Sequence, residues 1–170
     1  MNHELLTERL QMNWVTEADA EFMLAVWNDP TFIRYVGDRG IRTAAEAREA
    51  VRDKVLTHYE QHGYGPCAVS LRSGGPPMGI CGLFKREHLD HPDIGYGFLP
   101  PYRGKGYALE AAQAVVAHAR DQLRIPKLYA IVSPDNERSV HLLEKLGMRY
   151  EGPVRMPDED EDISLYSADL

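Results

Sequence analysis

The 170-residue chain has only two cysteines, Cys67 and Cys81. Two thiols cannot build a disulfide framework, and no Cys/His spacing in the sequence has the pattern of a zinc site, so no metal is expected. Both are read as reduced, buried thiols in neighbouring strands of a cytoplasmic protein. Positive charge is also scarce. Lys and Arg number 19 against 26 Asp and Glu, giving a net charge of −7 and a pI near 5.5. That balance does not favour a nucleic-acid surface. No apolar run approaches the roughly 18 residues of a membrane span, and Met1–Leu6 does not read as a signal peptide, so neither nucleic acid nor membrane is an expected partner. There is no internal repeat and no long linker; the nearest approach to low complexity is the acidic run Asp158–Asp162. What remains is ordinary: 44% hydrophobic and 26% charged residues. A chain of this size can bury a full core, and a single domain over 1–170 is expected.

The most informative stretch is Asp93 to Arg120. Its first part alternates apolar and small residues and ends at Pro100-Pro101, as a strand running into a turn does. After Tyr102-Arg103-Gly104-Lys105-Gly106-Tyr107-Ala108 comes a helix whose buried face is marked by Ala108, Ala112, Val115, Ala119 and Leu123. A Gly-rich basic turn feeding a helix N-terminus is a natural anion site. The first helical turn offers unpaired N–H groups and the positive end of the dipole. Gly104 and Gly106 let the backbone approach the anion, and Arg103 and Lys105 add charge. A pyrophosphate cradle is therefore predicted. The lysine loop of P-loop enzymes does not fit, and the third glycine of a dinucleotide fingerprint is replaced by Leu109.

Around this centre the chain alternates strands and helices. Arg9–Val15 reads as an opening strand with Leu10, Met12 and Trp14 on one side, and Thr16 caps a helix from Glu17 to about Asn28 whose inner face includes Trp27. Thr31–Arg42 reads as a loop, and Thr43 caps a second helix to about Tyr59. Strands follow near Cys67–Arg72 and Met78–Lys85, then beyond the central helix at Lys127–Val132. Asp135 or Asn136 caps a helix over Glu137–Leu146, Gly147 stops it, and strands near Arg149–Met156 and Asp162–Ala168 finish the chain.

Arg103, Gly106 and Ala108 match the pattern Arg/Gln-x-x-Gly-x-Gly/Ala. Downstream, Asn136-Glu137-Arg138-Ser139 and Leu143-Glu144-Lys145-Leu146-Gly147-Met148 form a second block at a sensible distance. Together they resemble the GNAT superfamily of acetyl-coenzyme A-dependent N-acetyltransferases. Thr7-Glu8-Arg9-Leu10, Asp93-Ile94-Gly95-Tyr96 and Gly104–Ala111 are similar to the Rim-type branch, which acetylates the N-termini of ribosomal proteins. The resemblance covers essentially the whole chain. It implies an α+β fold with a mixed, mostly antiparallel sheet of about seven strands, a splayed central parallel pair, and about four flanking helices.

The resemblance also implies a site. Acetyl-coenzyme A would be bound by Leu99, by the turn Arg103, Gly104, Lys105, Gly106, Tyr107 and Ala108, and by Asn136, which is equally read as a plain N-cap. The strands containing Ile94–Leu99 and Leu128–Val132 would hold the thioester between them. Many members take the proton for the leaving thiolate from a Tyr seven residues after the motif Asn, but that position is Leu143. Ser139 is the replacement the Rim-type branch suggests. Another position used for the base is Ile131, which leaves Asp93 as the carboxylate to consider and Glu110 as a solvent-facing helix-dipole residue. His88, His91 and His118 have a suitable pKa but are read as loop and helix-surface residues. The acceptor would meet Phe32, Tyr35 and Tyr96, and the acidic run could steer a cation.

The expected activity is acetyl transfer by direct attack of a primary amine, with a peptide or protein N-terminus as the leading acceptor. A small-molecule amine is the alternative acceptor. A non-catalytic acyl-coenzyme A-binding module is the alternative that the missing Tyr permits; under any of these readings the protein is expected to be a monomer or a homodimer.

Overall fold

Short runs of alternating residues, punctuated by Gly, Pro and Asn, produce strands that mostly pair with their sequence neighbours. In the computed structural model, which describes residues 3–170, they form one eight-stranded sheet. The strands are β1 (Glu4–Leu6), β2 (Leu10–Trp14), β3 (Pro66–Leu71), β4 (Gly79–Phe84), β5 (Asp93–Phe98), β6 (Lys127–Val132), β7 (Arg149–Val154) and β8 (Ile163–Asp169). Their spatial order is β1-β2-β3-β4-β5-β6-β8-β7, with β5 and β6 parallel and the other pairs antiparallel. The mixed, mostly antiparallel sheet is the expected one with a strand added. The addition is β1, three residues pairing with β2 through Leu5↔Met12, too short to carry a periodic signal.

The helices are α1 (Ala20–Trp27), α2 (Pro30–Tyr35), α3 (Ala44–Ala50), α4 (Thr57–His62), α5 (Tyr107–Asp121) and α6 (Glu137–Lys145). The loop expected over Thr31–Arg42 is corrected by α2. Asp29 accepts the Phe32 N–H at 3.1 Å and Pro30 occupies the first turn, so a helix restarts where α1 has just ended. The second predicted helix runs on to His62, with a π-helical segment over Val51–Leu56 between α3 and α4. Val51, Val55 and Tyr59 are all buried at intervals of four.

The sheet separates two cores. One face carries α5 and α6, packing Ala111, Ala112, Val115, Ala119 and Leu143 onto Met12, Cys81, Ile94, Phe98 and Leu128. The other carries α1 to α4, with Met23, Trp27, Phe32, Val51 and Tyr59 against Ala68 and Ile80. Cys67 and Cys81 are free, buried and directly opposed across β3 and β4.

β5 is paired along its length with β4, from Phe84↔Asp93 to Gly79↔Phe98, and β6 likewise with β8. Between them only Asp93↔Tyr129 is in register, where Tyr129 N–H donates to Pro92 O at 2.9 Å. Beyond that point the strands diverge and open the sheet from within.

Tyr59 ties the helical layer to the sheet. Its ring stacks on Trp14 with centroids 4.1 Å apart, its hydroxyl accepts the Val15 N–H at 2.9 Å, and it donates to the Pro66 carbonyl. Burial pushes the phenol well above the ordinary tyrosine range, so it stays neutral. Tyr59→Phe leaves two buried backbone groups unpaired and should cost about 1–3 kcal/mol. Urea unfolding of the variant should show this loss; an unchanged midpoint would mean the hydroxyl ties nothing down.

Candidate active site

The gap between β5 and β6 opens into a cleft of about 1450 Å³ lined from α2, β5, β6, α6 and the turn before α5. Side chains alternate along β5, so the two faces of the gap differ. Ile94, Tyr96 and Phe98 point to the α5–α6 side, where Ile94 and Phe98 join the core. Asp93, Gly95 and Gly97 point the other way. There an added Cβ on Gly95 would lie 2.9 Å from the Phe84 ring, and one on Gly97 3.5 Å from Phe32.

On the α5–α6 side the chain leaves β5 through Leu99 and a 3-10 turn, Pro100–Tyr102. Gly104 and Gly106 then take φ of 75° and 82°, the left-handed region that favours glycine. Among the described residues no backbone carbonyl accepts the N–H groups of residues 104–109, whereas the Glu110 N–H returns to Gly106 O at 3.1 Å. A Cβ at Gly104 would meet nothing within 4 Å, so the approach is open. Exposed N–H groups on a helix start, with Lys105 beside them, fit a pyrophosphate.

The turn is held from two sides by residues remote in sequence. Arg103 does not lend its guanidinium to the cradle. It donates to Phe98 O at 2.8 Å, to Asp29 at 2.5 Å and to Thr31 at 3.3 Å, locking the turn onto the start of α2. Glu110, expected to face solvent, is 18% exposed and accepts from Thr7 Oγ1 at 2.6 Å, Arg9 N at 2.9 Å and Arg9 Nε at 2.6 Å. Arg9 also donates to Lys105 O at 3.0 Å. The stretch Thr7-Glu8-Arg9-Leu10 thus fastens the cradle to the β1–β2 turn.

Asn136 caps α6, its side chain accepting the Ser139 N–H at 3.4 Å. Ser139 faces the gap, and its Oγ lies 2.5 Å from the Tyr96 hydroxyl. Tyr96, expected among the acceptor contacts, instead reaches to the α6 side and pairs with the candidate acid. Burial pushes its pKa up to about 12, with the Ser139 hydrogen bond acting in the opposite direction. The pair therefore keeps its protons at neutral pH. Leu143, one helical turn on, is 1% exposed and packs in the core.

On the α1–α4 side, Phe32 is buried against β5 and Tyr35 is half-buried at the end of α2, both lining the cleft. Asp93 is 1% exposed, and Arg86 Nε contacts its carboxylate at 3.0 Å. Burial pushes the Asp93 carboxyl above the usual range while Arg86 opposes the shift. Sequence reasoning misses Arg86, since a lone Arg between two strands carries no pattern. Of the histidines, His88 lines the cleft with Nε2 3.2 Å from Met156 Sδ, His91 packs edge-on to Tyr129, and His118 stands beside His3 on the far side of the sheet. The turn 104–108, Asn136 and Ser139 lie on the α5–α6 side; of the other predicted cofactor residues, Leu99 packs against the core that holds Phe32 and the Arg103 side chain pairs with Asp29 and Thr31, on the side of Phe32, Tyr35 and Asp93.

Residues 9–149 match the family model described as acetyltransferase (GNAT) domain, and the chain belongs to that family. It is an acetyl-coenzyme A-dependent N-acetyltransferase. The chain is 28% identical to the uncharacterised N-acetyltransferase YoaA of Bacillus subtilis (strain 168), over 89% of this chain and 85% of the relative. It is 42% identical to spermidine N(1)-acetyltransferase of Escherichia coli (strain K12) over 82 residues, 47% of this chain and 44% of that one. The fold superposes on RimL, a ribosomal L7/L12 alpha-N-protein acetyltransferase in complex with coenzyme A. There the TM-score is 0.84, covering 99% of this chain and 98% of that one, at 15% identity. At that identity the likeness speaks for the fold alone.

Coenzyme A should raise the melting temperature of the protein, since a ligand bound only by the folded state stabilises it. In Gly106→Leu the side chain meets Arg9 Nη2, 3.3 Å from the new Cβ, at a φ that disfavours it. The variant should lose about 1–2 kcal/mol of stability and most of the coenzyme A shift. A full shift would remove residues 104–109 from the cofactor site.

Proposed function

We propose that the chain acetylates α-amines, with peptide or protein N-termini as the leading acceptors, by direct attack on acetyl-coenzyme A. One observation carries the choice of amine: Asp93, a carboxylate on the acceptor side of β5, is buried and already engaged by Arg86. A base so placed is poorly able to strip a proton from an ammonium group of high pKa. An α-amine, with a pKa of about 7.7–8.0, arrives largely deprotonated near neutral pH, whereas a lysine side chain at about 10.4 does not. The gap corresponds to about 3 kcal/mol at 1.36 kcal/mol per pKa unit.

The bound thioester supplies an activated acetyl group. Residues 104–108 hold the pyrophosphate through backbone N–H groups, and Asn136 and Leu99 flank the arm that leads into the gap. Phe32 and Tyr35 exclude water around the entering amine, which approaches over Gly95 and Gly97, whose missing side chains make room for the rings of Phe84 and Phe32 that line its path. Ser139 donates a proton to the departing thiolate and takes one from Tyr96, while the proton that the attacking nitrogen loses as the amide forms returns to Tyr96 through water in the cleft, so the pair ends as it began. This hydroxyl pair does the work that Leu143 cannot, which speaks against a binding-only module. A small polyamine is the second reading, supported by the partial identity to the spermidine enzyme and by Glu159 and Glu161 at the cleft.

Ser139→Ala and Tyr96→Phe should each lower kcat by about 10²-fold, the low end for a general acid, with coenzyme A affinity unchanged. The protonated form of Tyr96 is present below its pKa and lost as pH rises through it. With that pKa near 12, the rate should climb as the amine deprotonates and then stay level to at least pH 10. Full turnover in both variants, or a falling limb below pH 9 that persists unchanged in Tyr96→Phe, would dismiss the pair.

The acceptor is tested by competition. A peptide with a free N-terminus is set against the same peptide with its N-terminus blocked and a lysine present, and acetyl incorporation is read by mass. The free N-terminus should win. Faster acetylation of the blocked peptide would overturn the α-amine reading.

A further inference from the structure

The acceptor side of the cleft holds a cation that has no counter-ion among the described residues. Arg39 stands in the loop between α2 and α3, with its guanidinium carbon 5.7 Å from the Phe32 ring centre and 5.9 Å from that of Trp27. Both distances are within cation–π reach. The group lines the cleft on the same side as Phe32, away from the cradle before α5. Among the described residues no carboxylate forms an ion pair with it. Its sequence neighbour Asp38 is taken by Arg42 at 2.5 Å. The residue as a whole is exposed and open to a ligand. The charge it does feel is another cation: partial desolvation in the cleft and Arg86 both pull its pKa down from the ordinary arginine value. Lys54 and Lys85 line the same side. The carboxylate of Asp93 faces Arg86 and is already shared.

A guanidinium set over two aromatic faces, with a like charge beside it, is held in place yet electrostatically unsatisfied. An anion entering between Arg39 and Arg86 would relieve both conditions, and a planar carboxylate matches the fork of the guanidinium. A purely cationic acceptor would meet repulsion at the same place. The acidic side chains Glu159 and Glu161, also at the cleft, suit the amine end of an acceptor that carries both charges. We infer that the acceptor carries a carboxylate close to its reacting amine, and that Arg39, backed by Arg86, is the site that receives it. This rests on the α-amine reading and narrows it to amino-carboxylates: free amino acids, or peptides with an acidic residue near the N-terminus.

The test compares matched acceptors that differ only in that charge. L-amino acids are set against the corresponding L-amino acid amides, and peptides with Glu as second residue against those with Gln. Turnover with acetyl-coenzyme A is read as thiol release. The acid member should exceed its neutral partner by at least about tenfold in kcat/KM, the low end for a hydrogen bond to a charged group. Arg39→Gln should erase that preference chiefly through KM, and Arg39→Lys should keep part of it. A preference confined to one pair tells whether the carboxylate belongs to the main chain or to a side chain.

A second readout does not need turnover. Binding of N-acetyl-L-amino acids and their amides to the coenzyme A complex is measured by calorimetry, in the parent and in Arg39→Gln. Acids and amides that turn over and bind alike, or a preference that survives Arg39→Gln, would overturn the carboxylate site and leave the α-amine reading standing. Loss of turnover on every α-amine, with acid-selective binding that depends on Arg39, would keep the site and remove the α-amine reading instead.

Discussion

Two parallel strands that part after a single register pair leave a row of backbone donors and acceptors inside the sheet without partners. Such groups are costly when neither protein nor solvent satisfies them. Here the row lies at the floor of a cleft, open to water and to an extended ligand that can pair with a strand edge. The divergence is stable because each strand is anchored on its outer side: β5 by six register pairs with β4, β6 by six with β8. The gap is thus a product of where the hydrogen bonds go elsewhere, and every functional group of the site is arranged around it.

Keeping the gap in shape takes ties between distant parts of the chain. Arg103 joins the end of β5 to Asp29 at the start of α2, and Glu110 joins α5 to Thr7 and Arg9. These contacts span some 74 and 101 to 103 residues of sequence. They fix the turn before α5 from both faces of the sheet, so a change in either flank reaches the proposed pyrophosphate site without touching the ligand. The two sides of the gap then differ in chemistry. The α5–α6 side presents N–H groups and hydroxyls, suited to phosphate and to a leaving thiolate. The α1–α4 side presents aromatic rings and cations around one buried carboxylate.

Local signals in the sequence were sufficient for much of this. Proline and glycine punctuation, with periods of two and three to four residues, located the strands from β2 to β8 and the helices other than α2 to within a few residues. The pair of glycines before α5 marked the cradle, because only a left-handed turn at a helix start needs them there. Short or interrupted elements were less legible. β1 has three residues, α2 follows α1 almost without a break, and the π-helical segment differs from an α-helix by one residue per turn.

The sequence by itself determined the order of elements, the face each buries and the place of the glycine turn, since these depend on contacts between near neighbours in the chain. Tertiary structure alone decided which charges are free. Arg103 and Asp93 read as candidate functional groups and Glu110 as a solvent-facing residue, yet all three are engaged by partners far along the chain or across a turn. Arg39 carried no pattern and stands over two rings with no ion-pair partner among the described residues. The Tyr96–Ser139 contact likewise joins a strand and a helix 43 residues apart. Pairing of polar groups is set by distance in space, which falls off within a few ångströms, and a linear sequence holds no record of it until the sheet has closed around its core.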